Sequence, residues 1–238
     1  MKPTNLITAI LVTTVASIAA DLSGHWEGSI QTPSKEVNFE VDLANNNQGG
    51  LTGAFSNPSQ NLKGLPLSNI SVDGKSIRFQ IKGNPGERAF KGTLSADGKS
   101  ISGDYTQSGY SMPFSLARTG DPRFEFPVKN GPIAKELEGV WNGTLDAGEK
   151  QLRAVLTLSN QPNDTATGSI LSVDEGLEIP IAAIKQNASS LTLDLKAVGA
   201  SFSGTLTPDG KELAGTYTQG SLVLPLKFRR AHATDGEK

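Results

Sequence analysis

The segment Gly24-His25-Trp26-Glu27-Gly28 returns as Gly139-Val140-Trp141-Asn142-Gly143, and these segments hold the only two tryptophans of a 238-residue chain. A longer match follows within each copy. Phe90-Lys91-Gly92-Thr93-Leu94 aligns with Phe202-Ser203-Gly204-Thr205-Leu206, and Gly103-Asp104-Tyr105-Thr106-Gln107 with Gly215-Thr216-Tyr217-Thr218-Gln219. From Phe90 to Arg118 the offset stays at 112, with 13 identities in 29 positions. Unrelated segments would not hold one register over that length. The chain is a duplication, so any fold proposed for one copy must also suit the other.

Within each copy, apolar and polar residues alternate with the period of a strand. Leu191, Leu193 and Leu195 point one way against Thr192, Asp194 and Lys196, and Ile77, Phe79 and Ile81 do the same in the first copy. Asp73-Gly74, Asp97-Gly98 and Asp209-Gly210 lie between such runs, where Asp-Gly suits a two-residue hairpin with both central residues at positive φ. Each copy then holds eight strands, the fourth of the second copy falling near 177–184. Short connections make neighbours in sequence neighbours in the sheet. The predicted fold is all-β: two tandem eight-stranded antiparallel up-and-down β-barrels, with closure removing the sheet edges. An open sandwich is the alternative that strand counting leaves standing.

Residues 1–20 read as a cleavable signal peptide, because Leu6 to Ile18 is too short to span a bilayer and Ala19-Ala20 suits a signal peptidase. A retained N-terminal anchor is the other reading. The first barrel is predicted over 21–118, a linker over 119–136, the second barrel over 137–230 and a solvated tail over 231–238. Phe124 and Phe126 in the linker are expected to dock on one barrel. The absence of cysteine removes disulfides, thiolate nucleophiles and thiolate metal sites. With 22 basic and 24 acidic residues spread along the chain, no footprint for nucleic acid or an anionic membrane surface appears. The expected location is secreted or periplasmic, in a bacterium, with no membrane span in the mature chain.

The Gly-x-Trp opening with an arginine closing the last strand resembles the lipocalin, or calycin, pattern. That resemblance implies a tryptophan plugging one barrel end and an arginine lying across its ring. Trp26 with Arg118, and Trp141 with Arg230 (or Arg229), stand at the matching places. The second copy, from Leu137-Glu138-Gly139-Val140-Trp141 through Ser172-Val173-Asp174-Glu175-Gly176 to Arg230, is also similar to a non-catalytic β-barrel module. That module precedes many secreted bacterial α/β-hydrolases and serine peptidases. The first copy has Ser56-Asn57-Pro58-Ser59-Gln60 where the second has Ser-Val-Asp-Glu-Gly.

No residue cluster reads as built for chemistry. Serine catalysis needs a base, and the only histidines are His25, expected to face solvent, and His232, in the tail. Asp174, Glu175 and Glu178 form no spaced calcium loop and read as loop-solvating acids. Gly92, Gly103, Gly204 and Gly215 sit inside strands, where they permit curvature rather than phosphate binding. Tyr105 and Tyr217 are expected to end a strand with the hydroxyl in water. Eight aromatics in the first copy against four in the second point to the second barrel as the hollow one, if either is. Its ligand-facing candidates are Tyr217, Phe202, Leu156, Leu193 and Leu224. The sequence thus points to an exported, cofactor-free, non-catalytic module that binds a partner, such as a protein, or presents a surface in the bacterial envelope or outside the cell. The alternatives are a carrier of a small apolar ligand in the second barrel, a detached accessory part of a secreted hydrolase, or an enzyme. Oligomeric state is open at this point.

Overall fold

Alternation carries directly into sheet. A computed structural model describes residues 21–46, 49–83, 88–123, 129–146, 148 and 151–231. The expected leader, Phe124, Phe126 and His232 lie outside the described residues. Among the described residues there is no α-helix, and none is long and apolar enough to cross a membrane.

In the first copy the strands are β1 (Gly24–Gln31), β2 (Glu36–Asn45), β3 (Leu51–Asn57), β4 (Leu62–Asp73), β5 (Ser76–Ile81), β6 (Arg88–Leu94), β7 (Ser100–Gln107) and β8 (Tyr110–Gly120). Each pairs with the next and β8 returns to β1, closing an antiparallel barrel. The inward positions are filled by aromatic rings. Phe90 lies at their centre, 4.7 Å from Phe79, 4.6 Å from Tyr105, 5.2 Å from Phe114 and 5.4 Å from Phe39 between centroids. Offset and edge-on ring pairs at these distances add to the stabilisation from burial alone.

The second copy contains β9 (Gly139–Asp146), β10 (Gln151–Gln161), β11 (Thr165–Ser172), β12 (Leu177–Pro180), β13 (Ala183–Asn187), β14 (Ser190–Leu195), β15 (Ala200–Leu206), β16 (Glu212–Gln219) and β17 (Leu222–Arg230). The expected fourth strand over 177–184 is broken in two. The result is a curled nine-stranded sheet whose two edges, β12 and β13, are consecutive in the chain. The cause lies in how a fourth strand works in this repeat. In the first barrel β4 pairs with β3 up to Pro66 and with β5 from Leu67 onward, with a register shift between Ser68 and Ser71. The strand changes partner at a proline, which has no N–H to give a ladder. Pro180 stands at the same place, and there the two halves separate: Ile181 N donates to Gly168 O on one side and Ala182 N to Asp194 O on the other.

The edges left by that break are covered by chain from outside the copy. Asn130 joins them: its backbone oxygen accepts from Ala166 N of β11 at 3.1 Å, and its Oδ1 accepts from Ile184 N of β13 at 2.8 Å. Ile133 is tied on both sides to the Asn160 side chain, at 2.9 and 2.8 Å, and Ala134 N donates to Gln186 Oε1 at 2.8 Å. The end of the predicted linker is therefore part of the second barrel's wall. Asn130→Ala should leave the Ile184 N–H buried without an acceptor, a loss of about 1–3 kcal/mol. Denaturant unfolding compared with the parent chain checks this, and an unchanged midpoint contradicts the bridging role.

The other edge is met by the first barrel. Gly83 forms an antiparallel bridge with Leu177, and Glu178 N donates to Lys82 O at 3.2 Å. A Cβ on Gly83 would lie 2.3 Å from the Gly176 carbonyl oxygen, so only glycine permits this approach. Lys82 Nζ pairs with Glu178 Oε1 at 2.8 Å, and Arg88 donates to the Glu175 carbonyl at 2.8 Å. The barrels thus meet through their fourth strands, β4 lying against β12 and against a 3₁₀ turn at Lys196–Val198.

The Asp-Gly turns differ from the sequence expectation. Gly98 and Gly210 adopt φ of 70° and 68°, but Asp97 and Asp209 are not among the residues at positive φ. Each aspartate instead accepts from a hydroxyl, Ser95 and Thr207 respectively, at 2.5 and 2.6 Å. These hydrogen bonds hold both carboxyls below their ordinary pKa. At Asp73-Gly74, Asp73 pairs with Ser76, so the central residues are Gly74 and Lys75. In all three turns the aspartate's hydrogen-bonding or pairing keeps it out of the left-handed region, and glycine alone enters it.

Candidate functional site

Three places merit chemical examination: the barrel ends, the buried histidine, and a cleft on the outer wall of the second barrel.

At one end of each barrel lies a tryptophan with no exposed surface. Trp26 Nε1 donates to Leu22 O at 3.1 Å and Trp141 Nε1 to Leu137 O at 3.0 Å. Arg118 Cζ lies 4.9 Å from the Trp26 ring centroid, and Arg230 Cζ lies 4.1 Å from that of Trp141. Each guanidinium also donates to the carbonyl just ahead of its barrel, Asp21 for Arg118 and Glu136 for Arg230. Arg229 does not share this role and points outward to Glu212. The two caps differ in one respect: Arg118 Nε is buried without a partner, whereas Arg230 Nε donates to Gly210 O at 3.3 Å.

Of the five ligand-facing candidates, Leu156, Leu193 and Phe202 are wholly buried, with Phe202 edge-on to Phe228 at 5.3 Å. Tyr217 and Leu224 are half-buried near the opposite end of the barrel from Trp141. Neither tyrosine ends with its hydroxyl simply in water. Tyr105 donates to Gln107 Oε1 at 3.0 Å and Tyr217 to Gln219 Oε1 at 3.1 Å, the same bond in both copies. Burial pushes both hydroxyls up in pKa; nearby Arg88 opposes this for Tyr105, while Glu175 adds to it for Tyr217.

His25 does not face solvent; it is 1% exposed. Its strand position does point out of the barrel, but its Nδ1 lies 2.8 Å from Asp42 Oδ1 and its Nε2 3.1 Å from Glu27 Oε1. Asp42 also accepts from the backbone N of Arg123 at 2.7 Å, so chain following β8 folds back over the pair. Among the described residues no serine hydroxyl is bonded to His25, and both ring nitrogens are engaged by carboxylates. The arrangement ties a connecting segment to the barrel wall and presents no activated nucleophile. Among the described residues, no group of three or more His, Cys, Asp or Glu is placed to hold a metal ion.

The acids of the second copy do more than solvate a loop. Asp174 receives Arg153 Nε at 2.9 Å, Nη2 at 2.6 Å and the Arg153 backbone N at 2.7 Å. This fork holds the Asp174 carboxyl below the usual carboxylate range. Glu175 accepts from Ser172, and Glu178 reaches the first barrel through Lys82.

The fixed Arg153 borders a cleft of about 510 Å³ on the outer face of β17, β9 and β10. Strand register arranges its lining in rows. Lys227, Thr144 and Arg153 lie directly across from one another, and Arg229, Asn142 and Val155 form the adjacent row. Glu212 lies within 3.6 Å of Lys227 and 3.4 Å of Arg229, so three cations face two carboxylates. The cation side chains are 64–79% exposed, held in place yet open to a partner. The sequence named Arg229 only as an alternative barrel-closing arginine and gave no sign of this cleft. Its signal, three cations on alternate positions of strands far apart in the chain, emerges only once register is known.

No protein-family model matches the chain, and no curated protein matches it. Among solved structures it is similar to a candidate outer membrane protein from Bacteroides fragilis NCTC 9343, at 12% identity and a TM-score of 0.29. That match covers 89% of this chain and 98% of the other. It is also similar to a protein of unknown function from the DUF3598 family of Nostoc punctiforme PCC 73102, at 12% identity and a TM-score of 0.23, covering 88% of this chain and 96% of that one. The chain is an all-β protein of one closed barrel and one curled, nearly closed one, consistent with a lipocalin-like arrangement.

Proposed function

We propose that this protein is a non-catalytic binding module of the bacterial envelope, exported and cofactor-free, which works through its outer walls rather than its lumens. The observation that carries this reading is the filling of both interiors. Phe39, Phe79, Phe90 and Trp26 in the first barrel, and Trp141, Leu156, Leu193, Phe202 and Phe228 in the second, are each at most 1% exposed. An eight-stranded barrel is only just wide enough to be filled or to hold one small molecule, and here large side chains take that space. The concave feature with convergent polar groups lies outside, at Asn142, Thr144, Arg153, Lys227 and Arg229.

One titration separates this from the carrier reading. Each barrel carries one buried tryptophan, so intrinsic fluorescence reports on both interiors. A panel of fatty acids and other small apolar molecules is expected to leave the emission unchanged. Saturable quenching or a shift in wavelength by any of them would replace the surface-binding reading with that of a carrier.

A further inference from the structure

The two copies have diverged most tellingly at matched outward positions. In the first barrel, the rows corresponding to those of the cleft are Ser115, Ser29 and Asn38, then Ala117, Glu27 and Glu40. Where the second barrel carries Lys227, Arg153 and Arg229, the first carries no cation. It has Glu27 directly opposite Glu40 across β1 and β2, with Glu36 two outward rows further on, opposite Gln31. No Lys or Arg occupies an outward position of β1, β2 or the facing part of β8. Like charges placed directly opposite on a sheet are destabilising. Since both copies close the same kind of wall, the fold itself requires neither the acidic set nor the basic one.

Topology then decides where these faces lie. The barrels touch through their fourth strands, β4 and β12. In an eight-membered ring the wall formed by the first and last strands is the one opposite the fourth. The acidic β8-β1-β2 wall and the basic β17-β9-β10 wall therefore occupy opposite ends of the molecule and cannot meet within one chain.

We infer that the protein associates end to end with copies of itself, the acidic wall of one molecule seating on the basic cleft of the next. Glu27 and Glu40 supply carboxylates on neighbouring strands, which seat between Lys227 and Arg229 on β17 and Arg153 on β10, the two strands that flank β9. The three cations exceed their two carboxylate partners, Glu212 and Asp174, by one, so the cleft retains positive charge for an incoming acid. The contact joins two different surfaces, so it builds an open chain of molecules or, if the rotation closes, a ring. This inference rests on the surface-binding reading given above. The two fail separately, since lumen occupancy is read by fluorescence and end-to-end contact by size.

The experiment is sedimentation velocity on the full-length protein across a salt series. At about 0.05 M salt, species larger than one chain are expected; at about 1 M, where the screening length is roughly 3 Å, the protein should be monomeric. The variant Lys227→Glu/Arg229→Glu should be monomeric at low salt, and so should Glu27→Lys/Glu40→Lys. Mixing these two variants restores opposite charge at both kinds of contact, and the larger species should return. A parent protein that stays monomeric at low salt overturns the proposal. So does association that survives either pair of reversals, or that persists unchanged in high salt. Capture of a poly-glutamate probe by the cleft without self-association would likewise overturn it, in favour of a foreign acidic partner.

Discussion

Trp141→Ala is expected to destabilise the second barrel by about 3–5 kcal/mol, the range for removing a fully buried large aromatic. The indole has no exposed surface, spans the barrel end and donates to Leu137 O. Its loss opens a cavity beneath Arg230, whose guanidinium then loses the ring it covers at 4.1 Å. The remaining tryptophan, Trp26, reports on the first barrel alone, so the experiment has two readouts. Denaturation followed by circular dichroism should shift to lower denaturant for the second barrel's share of the signal. Trp26 emission should shift less, by the amount that the shared seam couples the barrels. A single unchanged transition in both signals would show that Trp141 does not close its barrel. Trp26→Ala should give the mirror-image result.

Gly103→Ala and Gly215→Ala should each cost about 3 kcal/mol, near the upper end for a residue forced into a packed site. A Cβ at Gly103 would lie 2.0 Å from the Lys91 carbonyl oxygen, and one at Gly215 would lie 2.1 Å from that of Ser203. These contacts are with backbone, which cannot rotate aside, so the adjoining strands must part. Gly103 faces Gly92, and Gly215 faces Gly204, at the same place in the two copies. The glycine pair lets two strands approach more closely than any side chain would allow. Thermal unfolding of the two variants should show comparable losses. A neutral effect at either site would mean that the wall has slack there that the close approach does not reveal.

Much of the fold was legible because a barrel wall is a local pattern. Leu191, Leu193 and Leu195 alternate with polar residues whatever lies around them, and the repeat doubles every signal. The break in the fourth strand was harder to read, since Leu177, Ile179 and Ile181 keep the alternation through Pro180, and Pro66 sits at the same place in a strand that stays whole. What separates the two cases is the supply of hydrogen-bond partners from Asn130 and Lys82, distant in sequence. The same holds for His25. Its alternation does place it outside the barrel, where Asp42 and Glu27 engage its ring and the backbone of Arg123, distant in sequence, returns to Asp42. The outer cleft was invisible for a related reason: Arg153, Lys227 and Arg229 become neighbours through register, and register between β17 and β9 spans most of a repeat.

The junction at Asn130 carries a consequence for how such a duplicated gene can evolve. The later copy no longer possesses all the hydrogen-bond donors and acceptors that seal its own circumference, having delegated part of that task to residues lying upstream. Excising it at the boundary of the duplicated unit would yield a molecule with two adhesive β-margins, prone to aggregate.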